Sequence, residues 1–107
     1  MNKNIYKFFD IIHTSNMKKE SKKIDDDFEH ACNAYEREDY KAAYKLFLPL
    51  ADKGDAVAQT TLGNMFEDGL GVPQDYKEAI QWWGLAAEQR NERAQFNLEM
   101  MHGSSPN

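Results

Sequence analysis

Ser15-Asn16-Met17-Lys18 sets a serine three residues ahead of a lysine. In some hydrolases that spacing lets the lysine amine activate the serine as a nucleophile. The same chemistry calls on a Ser-Asp-Asn and a Lys-Thr-Gly element, and the chain has neither. A serine hydrolase of the β-lactam type is therefore kept only as a remote alternative. His13, His30 and His102 fall in separate segments, without a cysteine or carboxylate at ligand spacing. His30 and Cys32 would point roughly 200° apart on a helix, too far round to share a metal. Asp25-Asp26-Asp27 could attract a cation, but three acids at the start of a helix are explained by its dipole. Gly69-x-Gly71 follows the end of a predicted helix and not a strand, so it is no phosphate-binding loop. No catalytic residue, no cofactor and no metal is expected. Cys32, the only cysteine, reads as a structural thiol on a helix interior, slow to alkylate in the folded chain. One thiol, with no signal peptide and no span, points to a reducing, cytoplasmic address.

The elements that would position any site must come from 107 residues, room for one small domain with a thin core. A net charge of −5 repels phosphate backbones, so nucleic acid is not the expected partner. Charge is unevenly spread. Residues 1–24 carry six lysines against Asp10 and Glu20 (+4), and residues 25–107 carry seven basic against sixteen acidic residues (−9). This marks a basic N-terminal segment at 1–24, a folded domain at 25–102 and a short tail at 103–107. Within the first segment Ile5, Phe8, Phe9 and Ile12 share one helical face. The stretch is too short to span a bilayer, and Lys18, Lys19, Lys22 and Lys23 read as a solvated linker behind it.

Sliding the sequence by 36 residues exposes a repeat: Asp39-Tyr40-Lys41 falls on Asp75-Tyr76-Lys77, Ala43 on Ala79, Ala51 on Ala87, Ala58-Gln59 on Ala94-Gln95, Leu62 on Leu98 and Met65 on Met101. The shared residues are mostly small and helically spaced, so what repeats is a close approach of helices and not a reactive group. Boundary residues divide the domain into five helices. Asp25 to Asp27 open the first, which runs to about Arg37; Asp39 caps a second ending at Gly54; Asp55 caps a third over Ala56 to Asp68; Asp75 opens a fourth, with Glu78 placed for a capping box; Asn91 opens a fifth to about His102. Pro49 inside the second should kink it. Loops this short force consecutive antiparallel hairpins.

Leu62-Gly63-Asn64-Met65-Phe66, then Gly69-Leu70-Gly71-Val72-Pro73-Gln74-Asp75-Tyr76, then Ala79, Trp82, Ala86 and Ala87, resembles a Sel-like repeat, a relative of the tetratricopeptide repeat. One full copy spans about Ala56 to Arg90. Phe28 to Gly54 resembles a shorter copy, and Glu92 to Met101 the unpaired first helix of a third. The resemblance implies an all-α fold of helix hairpins stacked as a short right-handed solenoid. It makes Trp82 the core aromatic, while Trp83, about 100° away on the helix, is expected to pack on the last helix. Arg90 stands where the family usually ends the helix with glycine.

The function so implied is a non-catalytic protein–protein interaction module, an adaptor binding a partner on its concave helix surface. The resemblance puts Glu29, Asn33 and Glu36 of the first helix, Thr60, Asn64 and Glu67 of the third, and Arg93, Phe96 and Met100 of the fifth on that surface. Asn33 and Asn64 would hydrogen-bond an extended peptide, and the flanking acids favour a basic or amphipathic ligand over a C-terminal carboxylate. The competing reading is a membrane-peripheral protein held by residues 5–12. About two and a half repeats leave the stack's ends uncovered. The segment with Ile5, Phe8, Phe9 and Ile12 is expected to dock on the first hairpin near Phe28 and Tyr35, or to mediate homo-oligomer formation.

Overall fold

A computed structural model of the chain describes residues 26–103, and side chains as far as residue 101. The N-terminal amphipathic face, the Ser15–Lys18 pair, His13 and the 104–107 tail lie outside the described residues. Among the described residues there are five helices and no strand: α1 (26–36), α2 (Tyr40–Asp52), α3 (Ala56–Asp68), α4 (Tyr76–Glu88) and α5 (Glu92–Gly103). Each packs on its neighbour in sequence, giving a helical-repeat solenoid of the tetratricopeptide type. None of these helices is long and apolar enough to cross a membrane.

One local device ends four of the helices. A residue in the left-handed region, Glu38 (φ 63°), Gly54 (103°), Gly69 (69°) or Arg90 (66°), follows each. The next amide then donates back to a carbonyl five residues earlier: Asp39 to Ala34 (2.9 Å), Asp55 to Leu50 (3.0 Å), Leu70 to Met65 (2.8 Å) and Asn91 to Ala86 (3.1 Å). This is the Schellman closure, which satisfies carbonyls the helix end leaves orphaned. Three of those residues also start the next helix. The carboxylate of Asp39 accepts from the Ala42 amide (3.3 Å), that of Asp55 from Ala58 (2.8 Å), and the Asn91 side-chain Oδ1 from Ala94 (2.9 Å). Stop and start thus share one residue, which is why the turns are so short.

The caps expected at Asp39, Asp55, Asp75 and Asn91 are present, with one difference, while Asp25 lies outside the described residues. Asp75 accepts from the Glu78 amide (3.2 Å), but its own N–H donates to the Phe66 carbonyl (2.9 Å), so the loop is tied to α3 instead of closing a reciprocal capping box. α2 continues through Pro49 to Asp52. Arg90 holds the position of the missing glycine by adopting its left-handed backbone.

The core follows the 36-residue offset. Ala43 and Ala79, Ala58 and Ala94, and Phe47 and Trp83 are pairs at that spacing, and all six are buried. Gln59 donates from Nε2 to the Ala51 carbonyl (3.0 Å), and Gln95 to that of Ala87 (3.3 Å). Ala31, Ala34, Phe47, Leu50, Leu62 and Met65 centre one cluster, into which Leu70 and Val72 pin the α3–α4 loop. That loop comes so close to α2 that a Cβ on Gly71 (φ 73°) would stand 2.5 Å from the Tyr40 carbonyl. Ala79, Trp83, Ala86 and Ala94 centre the second cluster, flanked by Phe66 and by Leu98 and Met101 of α5.

The two tryptophans divide differently from the resemblance. Trp83 is the fully buried one and does pack on α5, whereas Trp82 is only half-buried, against the first cluster. Trp83 carries an indole N–H, and the sequence provides two acceptors for it across α3. An aromatic with a polar edge goes inside where that edge is satisfied.

Candidate interaction groove

Trp83 of α4 organises the seam with α3 and α5. Its Nε1–H is shared by the Thr60 carbonyl (3.2 Å) and Asn64 Oδ1 (3.1 Å). Its ring lies so near Gly63 that a Cβ there would overlap the indole Nε1 and Cδ1. Asn97 Nδ2 on α5 also donates to Asn64 Oδ1 (3.0 Å). Indole nitrogen is a donor only, so this pair of bonds fixes which way the Asn64 amide faces. Its oxygen turns inward to α4 and α5, and its NH₂ is left with its donors to spend.

Beside this network a groove of about 360 Å³ opens, in the range of small-ligand and side-chain sites. Cys32, Tyr35 and Glu36 come from α1, Phe47 from α2, Val57, Thr60, Thr61 and Asn64 from α3, and Asn91 and Arg93 from the start of α5. The threonine hydroxyls are spent within α3, Thr60 donating to Ala56 O and Thr61 to Val57 O, both at 2.8 Å. Tyr35 meets Tyr40 edge to face with centroids 5.2 Å apart, which fixes that wall.

Two ionic groups stand in the lining, Glu36 on α1 and Arg93 on α5, both exposed. Burial, then the charges of Glu36 and Asp55, push the Cys32 thiol above its ordinary value. Burial, then Tyr40 and Asp68, do the same to the Tyr35 phenol. Cys32 is half-buried, so the thiol meets the groove as a weakly acidic, poorly nucleophilic group. No set of three His, Cys, Asp or Glu side chains is arranged to hold a metal ion among the described residues.

Of the nine surface residues the sequence nominates, four meet here: Glu36, Thr60, Asn64 and Arg93. Glu29 and Asn33 are exposed on α1 outside the lining, and Phe96 and Met100 are exposed on α5. Glu67 is half-buried beside Asp68, its carboxyl held above the usual range by burial and then by that neighbour. Among the described residues Asn33 has no counterpart of the Trp83 and Asn97 bonds that hold Asn64. Sequence reasoning missed Cys32, Tyr35, Phe47, Val57, Thr61 and Asn91. Val57, Thr61 and Asn64 do lie at helical spacing on one face of α3, and that stripe was the available signal.

Short helix hairpins, repeat-equivalent buried alanines and an open face of alternate helices define a tetratricopeptide-like repeat protein. The Sel1 repeat family matches residues 34–55 and 56–91, and the chain belongs to that family. The first match takes in the end of α1 and all of α2, and the second runs from the start of α3 through the N-cap of α5; the two matches end 36 residues apart. No curated protein matches the chain. Sel1 repeats are in general protein–protein interaction modules, and the family is typically non-catalytic.

Proposed function

We propose that this chain is a non-catalytic adaptor that takes a segment of a partner protein into the groove between α1, α3 and α5, and that it works in the cytoplasm. The observation that carries the reading is the set of unspent polar groups around an apolar floor: the Asn64 and Asn91 NH₂ groups, Glu36 and Arg93, over Phe47, Val57 and Tyr35. Asparagine amide donors suit the carbonyls of an extended main chain, and the apolar floor suits an anchoring side chain. The acids of α1 and α3 favour a basic or amphipathic segment at low salt. Glu29, Asn33, Glu67, Phe96 and Met100 belong to the outer contact area in this reading.

Cys32 reports occupancy directly, because its thiol lines the groove. Its raised pKa means that thiolate forms only at alkaline pH, so iodoacetamide labelling is best followed there. Native protein should label more slowly than denatured protein, and a saturating partner recovered by affinity purification should slow it further. A partner that binds with no effect on Cys32 labelling, and with full affinity for the Asn64→Ala variant, would place recognition elsewhere on the molecule.

A further inference from the structure

Glu36 and Arg93 stand on helices that are not sequence neighbours, α1 and α5, with α3 between them. One lining helix therefore carries an anion and the other a cation, over a floor that includes Phe47 and Val57. Both ends are exposed and neither has an ion-pair partner among the described residues, so both charges face a ligand. Asn64 and Asn91 add donors on the α3 and α5 side, since their oxygens are already taken by Trp83, Asn97 and the Ala94 amide. Acceptance is thus concentrated at α1 and donation at α5. A ligand of uniform charge would satisfy one side and be repelled by the other.

Resting on the reading of this groove as the binding surface, we propose that it selects an extended peptide segment of mixed charge: a lysine or arginine against Glu36, an apolar side chain over the Phe47–Val57 floor, and an aspartate or glutamate against Arg93. The peptide's acidic side chain meets a guanidinium that can grip it with two N–H groups. Its carbonyls accept from the asparagine amides. The overall acidity of the domain speeds the approach of cationic ligands but does not decide which one stays.

Three pools of short capped peptides test this, each with a central leucine or isoleucine: mixed-charge, all-basic and all-acidic. Capping removes the terminal charges that would blur the comparison. The intact chain should bind the mixed pool about tenfold tighter than either uniform pool in low salt, a difference near 1.4 kcal/mol. Glu36→Lys, which makes both sides cationic, should transfer the preference to the acidic pool. Arg93→Glu should transfer it to the basic pool. Both residues are exposed, so the variants should keep the parent's melting behaviour, and a circular-dichroism melt checks that. Equal binding of all three pools, still blocked by carboxyamidomethylated Cys32, would overturn charge selection while leaving the groove as the site. Binding indifferent to Cys32 modification, or no binding of any pool, would overturn both.

Discussion

Gly63 and Trp83 are two halves of one decision at the level of single residues. Alanine is preferred to glycine in a helix interior by about 0.8–1 kcal/mol, so a glycine in the middle of α3 needs a reason. The reason is the fully buried Trp83 ring, which occupies the volume a Cβ would need. Trp83 cannot step aside without breaking its shared bond to the Thr60 carbonyl and Asn64 Oδ1. Gly63→Ala should therefore destabilise the fold by roughly 1–3 kcal/mol, overpacking outweighing propensity. Gly84, in α4, has nothing within 4 Å of its would-be Cβ, so Gly84→Ala should stabilise by about 0.5–1 kcal/mol. Urea unfolding of the two variants in parallel decides the matter: equal effects, or effects of the same sign, would mean that the Trp83 contact does not set the approach of α3 to α4. The same contact reaches the groove, because the indole that excludes a Cβ also holds the Asn64 amide in the orientation that presents its donors.

Helices and turns were the most legible scale in the sequence, and the physics says why. Asp39, Asp55, Asp75 and Asn91 announce helix starts through side-chain oxygens that need no tertiary partner. Ala43 with Ala79 and Ala58 with Ala94 announce a packing seam, because small residues recur where backbones come close. The tryptophan assignment was not legible at this level. Trp82 and Trp83 are adjacent, and both directions lead to a neighbouring helix. What separates them is an acceptor pair on α3, nineteen and twenty-three residues away in sequence. The groove was half legible for a related reason: Cys32, Val57 and Asn91 meet because α1, α3 and the start of α5 come together in the stack, which local spacing does not encode. Arg90 closes α4 where a glycine would be at ease. Its left-handed backbone (φ 66°) costs a side-chain-bearing residue about 1–2 kcal/mol, and glycine escapes most of that while losing more entropy on folding. Arg90→Gly should stabilise by about 0.5–1 kcal/mol and leave the Asn91 amide's bond to Ala86 in place. A lower Tm for this variant would show that the arginine side chain contributes more than its backbone costs.

At the scale of the whole molecule the stack is a chain of nearest-neighbour contacts, and stability in such a chain is not uniform. α3 lies between α2 and α4 and places Leu62, Met65 and Ala58 in the first cluster while holding Trp83 of the second. α5 packs on α4, and its further tie to α3 is the Asn97–Asn64 bond. Its outer side carries Phe96 and Met100, more than half exposed, at the positions that correspond through the 36-residue offset to the buried Thr60 and the half-buried Asn64. What covers α3 is the α4–α5 hairpin; α5 has only one such face covered among the described residues. Opening α5 therefore uncovers Ala94, Leu98 and Met101 but leaves the first cluster intact, whereas opening α3 dismantles both clusters. Native-state hydrogen exchange should show α5 amides exchanging through a low-energy opening with a smaller denaturant dependence than global unfolding, and α3 amides only through global unfolding. Occupancy of the groove should raise the protection of α5 most, because Arg93 and Asn91 at its start would then be tied through the ligand to α1. If α5 and α3 amides exchange with one common free energy in the unliganded chain, the two clusters fold as a single cooperative unit and the groove's α5 wall is as rigid as its floor.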